Sequence, residues 1–233
     1  MRDLFDNVDC FIAPSKFLKA RLVEYGLDSD RVLYSDYGTP VEDFISEGGP
    51  STGAPLRIGF LGSMQQVKGV HVLMEALQLL QPGSFTADFY GNISIKPEYV
   101  RDLRGPAGEA VRVMGEAPAK DIPSILRGFD VLAVPSIWWE NSPLVIHEAF
   151  AAGVPVVCSN IGGMAELVND GVSGLLFEAG SPEALAACLA TLIEHPDRLS
   201  QLRAGIPSVK TMQDDADFHL ELFQSILDIY GER

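Results

Sequence analysis

The chain has 233 residues, 47% of them apolar and 21% charged, which leaves room for one large domain or two small ones and excludes a disordered or fibrous protein. Its 17 Lys and Arg against 32 Asp and Glu give a net charge of −15, so broad-surface binding to nucleic acid or to anionic lipid is not expected. The opening Met1-Arg2-Asp3-Leu4-Phe5-Asp6 lacks the order of a signal peptide, and Cys10, Cys158 and Cys188 have neither disulfide-framework nor zinc spacing. A cytoplasmic location and no metal site are the expectations.

In chain order, short β-rich apolar runs alternate with longer amphipathic stretches, the pattern of an α/β fold with a parallel sheet covered by helices. Strands are expected over 9–13, 31–34, 56–61, 86–90, 111–114, 131–134, 154–158 and 174–177. Helices are expected over 16–25, 70–80, 97–104, 122–127, 144–152 and 182–194. The run Val131-Leu132-Ala133-Val134 has no alternation, as a strand buried on both faces should read. Residues 46–55, rich in Gly, Pro and Ser, form a loop or linker. The segment before it is small for a free domain and is expected to share the main sheet. Residues 215–230 carry Phe218, Leu222, Phe223, Ile226 and Leu227 at helical spacing, an amphipathic helix whose apolar face needs a partner surface. Asp214-Asp215 reads as its acidic N-terminal turn.

Two loops can carry chemistry. The strand 56–61 runs into Gly62-Ser63-Met64-Gln65-Gln66-Val67-Lys68-Gly69 and then a helix, so backbone approach at Gly62, free helix amides and the Lys68 charge together suit a phosphate. Neither the Walker pattern nor the dinucleotide fingerprint is present, which disfavours a dehydrogenase-like domain. Taken alone, Gly62 reads equally as a plain turn and Lys68 as a solvated lysine.

The strand 131–134 leads into Pro135-Ser136-Ile137-Trp138-Trp139-Glu140-Asn141-Ser142-Pro143-Leu144 and a largely apolar helix containing His147 and Glu148. Ser142 is expected to be the helix N-cap and Pro143 its first residue, with amides facing back toward the strand ends. A carboxylate at Glu148 is costly to bury unless a ligand or an internal donor meets it. Trp138-Trp139 reads as a loop packed on the core in preference to a stacking platform. The four histidines form no constellation, and no Ser/His/Asp order stands out. Gly162-Gly163, after the strand 154–158, again permits close backbone approach.

Glu140 and Glu148, with seven residues between them, together with Asn141-Ser142-Pro143, Gly62 through Lys68-Gly69, and Asn160-Ile161-Gly162-Gly163-Met164-Ala165-Glu166, resemble the C-terminal, donor-binding half of a retaining family 4 glycosyltransferase. Ile12-Ala13-Pro14-Ser15-Lys16-Phe17 and the Asp36-Tyr37-Gly38 turn fit the same family, so the likeness covers nearly the whole chain. It implies a Rossmann-like domain of the GT-B architecture over 1–212, containing the 46–55 loop, with the helix 213–233 packing on an acceptor domain absent from this chain. It implies a nucleoside-diphosphate sugar as donor, with no cofactor and no required metal. Lys68 would bind the diphosphate, with Gly62 and Ser63 beside it. Amides near Ser142–Leu144 would hold the distal phosphate or sugar, Glu140 would touch the donor sugar and with Lys68 serve catalysis, Asn141 would belong to the donor site, and Glu148 would take the ribose hydroxyls. Gly115, Pro135 and Ser136 would lie near the base. Ser63 departs from the arginine usual there, which loads neutralisation onto Lys68. Any membrane contact would come through the other half. The implied chemistry is retaining transfer to an acceptor hydroxyl, in polysaccharide or glycolipid assembly. A non-catalytic nucleotide-sugar-binding or interaction module is the alternative.

Overall fold

A computed structural model of the chain describes residues 5, 7–44, 55–92 and 110–231. The helix expected over 97–104 and all of the 46–55 loop except Pro55 lie outside the described residues. Among the described residues the strands are β1 (Phe11–Ala13), β2 (Val32–Tyr34), β3 (Leu56–Leu61), β4 (Phe85–Tyr90), β5 (Val111–Gly115), β6 (Val131–Val134), β7 (Val156–Ser159) and β8 (Gly174–Phe177). The helices are α1 (Lys16–Glu24), α2 (Val70–Gln78), α3 (Ile122–Arg127), α4 (Leu144–Ala151), α5 (Met164–Leu167), α6 (Pro182–Glu194), α7 (Asp197–Ala204) and α8 (Met212–Gly231).

Strands β3 to β8 form one parallel sheet in the order β5-β4-β3-β6-β7-β8. The order reverses between β3 and β6, and in open α/β sheets ligands bind outside the carboxyl ends of the strands at such a switch. Alternation along β6 serves two cores. Val131 and Ala133 join Leu73, Leu185, Leu189 and Leu202 on the α2, α6 and α7 face, whereas Leu132 and Val134 join Leu126, Ile146, Phe150 and Met164 on the α3, α4 and α5 face. At the amino end of β6, Asp130 is fully buried and takes Arg57 through Nε at 3.0 Å and Nη2 at 2.8 Å, with Arg203 Nη2 at 3.2 Å. Removing one partner of such a pair leaves charge uncompensated, so this cluster anchors the sheet at the end opposite the switch.

The first segment does not share that sheet, contrary to the sequence expectation. β1 and β2 pair only with each other, Phe11 opposite Val32, with α1 crossing between them. Their cluster of Ala13, Leu27 and Val32, with Phe5, Phe11, Leu18 and Leu22 packed on it, is separate from the two main cores. Strand pattern alone says that a face is buried, not which sheet it joins. The segment meets the rest through Phe44, which enters the α4 core, and through polar contacts described below.

Helix α8 starts on a capping box. Thr211 Oγ1 accepts from the Asp214 amide at 3.0 Å, and Asp214 Oδ2 accepts from the Thr211 amide at 3.0 Å. Its first turn is tied to the 35–39 turn, since the Thr39 amide donates to the Lys210 carbonyl at 2.9 Å and Lys210 Nζ donates to Ser35 Oγ at 2.7 Å, to the Asp36 carbonyl at 2.9 Å and to Asp215. A side chain at Gly38 would stand 2.8 Å from Asp215 Cβ, so glycine permits this approach. Further along, Phe218, Leu222 and Ile226 are half-buried while Leu220, Phe223 and Leu227 are exposed, leaving an apolar stripe open. No helix among the described residues is long and apolar enough to cross a membrane.

Candidate functional site

The carboxyl ends of β3 and β6 bring two loops together. After β3 the Gly62 amide donates to the Tyr90 carbonyl at 3.0 Å, and the chain makes a 3-10 turn over Gln66–Lys68 that ends in Gly69 at φ 69°. A Cβ on Gly69 would lie 1.8 Å from the Pro135 carbonyl oxygen, so only glycine lets the turn rest on the end of β6. The Ile137 amide fastens it further, donating to the Val67 carbonyl at 3.0 Å. Lys68 Nζ then reaches Glu140 Oε1 at 2.6 Å. A cavity of about 40 Å³ lies beside this pair, lined in part by Phe60, Gly62, Lys68, Ser136, Glu140 and Pro143. Lysine and carboxylate, which the sequence placed on different parts of one ligand, thus touch each other across the strand ends.

Several site residues hold other site residues. Ser136 is 1% exposed, and its hydroxyl lies 2.9 Å from both the Val67 carbonyl and Glu140 Oε1, so it orients the Lys68 turn and the carboxylate. The Gly162-Gly163 pair meets protein backbone. The Gly163 amide donates to the Glu140 carbonyl at 2.7 Å, and a Cβ there would fall 1.4 Å from the Asn141 carbonyl oxygen. Asn141 Oδ1 accepts from Ser15 Oγ at 2.7 Å. Trp138 and Trp139 are 59% and 62% exposed, not packed on the core as the sequence suggested, because the loop beneath them is fixed through Ser136, Gly163 and Asn141.

Ser142 is not the N-cap of α4. Pro143 is, with extended backbone at ψ 115° and no side-chain cap, and the helix begins at Leu144. The Ser142 hydroxyl instead donates to Asp36 Oδ1 at 2.6 Å and lies 2.8 Å from His147 Nε2. A proline has no N–H, so Pro143 offers nothing to an anion, and the amides of Leu144 and Val145 head the helix without intrahelical partners. The Asp36–Ser142–His147 cluster escaped the sequence reading, which found no histidine constellation. Burial opposes ionisation of Asp36, but hydrogen bonds from His147, Ser142 and the Tyr37 amide outweigh it and hold its carboxyl below the usual range.

Glu148, one turn into α4, is half-buried, and burial pushes its carboxyl above the usual range against a smaller opposing effect of His147. No described residue donates a hydrogen bond to its carboxylate. Gly115 ends β5 at φ 83° where the register slips by one residue, and its carbonyl accepts from the Gly91 amide at 2.8 Å. Ser63 is half-buried beside Gly62, and Leu144 is exposed.

A family model described as "Glycosyl transferases group 1" matches residues 55–195, which include both loops and Glu148. The chain belongs to the group 1 glycosyl transferases. Within the family it is 30% identical over 222 residues to the D-inositol 3-phosphate glycosyltransferase of Corynebacterium kroppenstedtii, covering 84% of this chain and 48% of that protein. The chain spans about half the length of the curated relatives it matches. Among solved structures, a glycosyltransferase from Rickettsia africae superposes with a TM-score of 0.85 at 23% identity, covering 94% of this chain and 64% of that one. Anabaena Alr3699/HepE, solved in complex with UDP and glucose, gives 0.81 at 22% identity over 92% of this chain and 63% of that one. The fold is therefore the Rossmann-like fold of GT-B glycosyltransferases, as the sequence motifs implied.

Proposed function

We propose that the chain is the donor-binding half of a retaining glycosyltransferase, taking a nucleoside-diphosphate sugar in the cleft at the β3/β6 switch. The meeting of Lys68 and Glu140 over that cleft carries the reading. Lys68 supplies charge to the diphosphate, and the amides of Leu144 and Val145 add the partial positive charge of a helix start. Glu140, freed from Lys68 by the incoming diphosphate, faces the sugar. Glu148 accepts from the ribose hydroxyls, which offsets the cost of its burial. The end of β5 at Gly115 and Pro135 at the end of β6 lie nearest the base. Stabilisation of the leaving diphosphate by lysine and fixed amides is electrostatic catalysis that calls for no metal ion.

The acceptor and the rest of the cleft belong to a second domain, and the chain alone binds donor nucleotide weakly and transfers little. The exposed stripe of α8 is the surface such a domain would cover. Calorimetry with UDP and with GDP, in the presence of EDTA, tests the assignment. Binding of one of them, weakened by Lys68→Ala and by Glu148→Gln, is the expected result. No binding of either nucleotide by the unmodified chain refutes the site, and efficient sugar transfer by the purified chain refutes its dependence on a second domain.

A further inference from the structure

We propose that Asp36, acting through Ser142 and His147, is a positioning residue that fixes the loop carrying Glu140 in the geometry that receives the donor sugar, an inference that rests on the donor-site reading above. The loop between β6 and α4 has no regular structure, yet two successive residues in it are pinned by the distant first segment: Asn141 by Ser15, and Ser142 by Asp36. Two donors converge on one oxygen of Asp36. The Tyr37 amide reaches Oδ1 at 2.8 Å and Ser142 Oγ at 2.6 Å, and His147 Nε2 stands 3.4 Å from the same oxygen. With the single proton of Ser142 committed to Asp36, the 2.8 Å contact between Ser142 Oγ and His147 Nε2 requires the histidine to carry its hydrogen on Nε2.

Ser142 and His147 are only 6% and 4% exposed, so the cluster is shielded from competing water. It also lies between the two site carboxylates in the chain, Ser142 two residues after Glu140 and His147 next to Glu148. Ser142 stands one residue before the α4 N-cap, where a serine could have capped the helix. Its hydroxyl is spent on another segment, which binds the entry of α4 and the Glu140 loop to one fixed point. Lys210 holds that point from behind by donating to the Asp36 carbonyl at 2.9 Å. The positional demand falls on the sugar side of the ligand. Lys68, whose turn is fastened to this loop at Ser136 and Ile137, stands further from the Asp36 contact in the chain.

The chain's two tryptophans, Trp138 and Trp139, lie in this loop, so their emission reads its position. The test compares the chain with its Asp36→Ala, Asp36→Asn and Ser142→Ala variants. The probes are whichever of UDP and GDP binds, and the glucose conjugate of that nucleotide. Asp36→Ala and Ser142→Ala are expected to reduce the affinity of the conjugate relative to the bare nucleotide about five-fold or more, as loss of a charge-assisted hydrogen bond would, and to shift the tryptophan emission. Bare nucleotide should lose clearly less than the conjugate, since Glu140 meets only the sugar. Asp36→Asn keeps an acceptor at Oδ1 and should restore most of the difference. Equal losses for both probes, or an unchanged ratio with unshifted emission, overturn the proposal. Failure of the unmodified chain to bind either nucleotide refutes the donor site, and the emission of the variants then still decides whether Asp36 holds the loop.

Discussion

Lys68 Nζ and Glu140 Oε1 stand 2.6 Å apart across the ends of β3 and β6, with Ser136 Oγ 2.9 Å from the same carboxylate oxygen. The lysine is partly open to solvent and the pair joins two loops, so its contribution to stability is small, on the order of 1 kcal/mol or less. Its worth lies in holding a cation ready at the switch. Lys68→Ala should weaken the nucleoside diphosphate on the order of 10- to 100-fold with little change in thermal stability. Glu140→Gln should tighten the bare diphosphate several-fold, because a carboxylate no longer competes for the lysine. Calorimetry on both variants measures the two opposite changes, and equal weakening in both would contradict the arrangement.

Glu148 carries the reverse trade. Burial raises its carboxyl above the ordinary value, so the ionised form opposes folding at neutral pH, and that cost fades as pH falls through the raised value. Glu148→Gln should therefore melt at a higher temperature than the unmodified chain at pH 7, with the advantage shrinking as pH falls through the raised value, while nucleotide binding is weakened. A variant that is less stable at pH 7 would show that the carboxylate has a partner within the fold.

The Gly163 contact sets a steric prediction. With the Asn141 carbonyl oxygen 1.4 Å from the position of an added Cβ, Gly163→Ala must displace the Glu140 loop or the start of α5. A cost of about 2–4 kcal/mol corresponds to a fall in Tm of roughly 5–15 °C for a chain of this size. Thermal melting tests it. The same variant should lose donor-sugar affinity even at temperatures where it is folded.

On the other side of the molecule, the hydrogen bond from Lys210 holds the Asp215 carboxyl below the usual carboxylate range. A depressed carboxyl stabilises the fold above its unfolded value, and that stability is lost as pH falls through the folded one. The difference in unfolding free energy between the chain and Lys210→Met should be largest at pH 7 and should shrink as pH falls through the depressed value, leaving the part owed to Ser35 and the Asp36 carbonyl. Denaturant titrations across that range measure it.

Much of the main sheet was legible because its strands are continuous apolar runs. β6 and β8 fall where the pattern of Val131–Val134 and Gly174–Phe177 puts them. Helix α7 was missed because only Leu199 and Leu202 in Asp197–Ala204 are buried, too few to mark a period among polar neighbours. The phosphate-type loop and the Glu140 loop were readable from local chemistry, and a glycine beside each proved structural for a reason visible only in space. Gly69 and Gly163 admit protein carbonyls, not ligand. The Asp36–Ser142 bond spans 106 positions, and no periodicity links residues so far apart. The one local signal was the Asp36-Tyr37-Gly38 turn, which pointed to a family and not to a contact.

The small β1–β2 sheet has its own apolar cluster and meets the larger body largely through hydrogen bonds donated by Ser15, the Lys16 amide, Ser142 and Lys210, those of Lys16 and Ser142 accepted by the Glu166 and Asp36 carboxylates. Apolar burial is what couples parts of a protein into one melting unit, and a polar seam couples them weakly. The chain should therefore not unfold as a single cooperative block. Amide hydrogens of β1 and β2 should exchange through a sub-global opening of lower free energy than those of β3 and β6, and the calorimetric enthalpy should exceed the van't Hoff value.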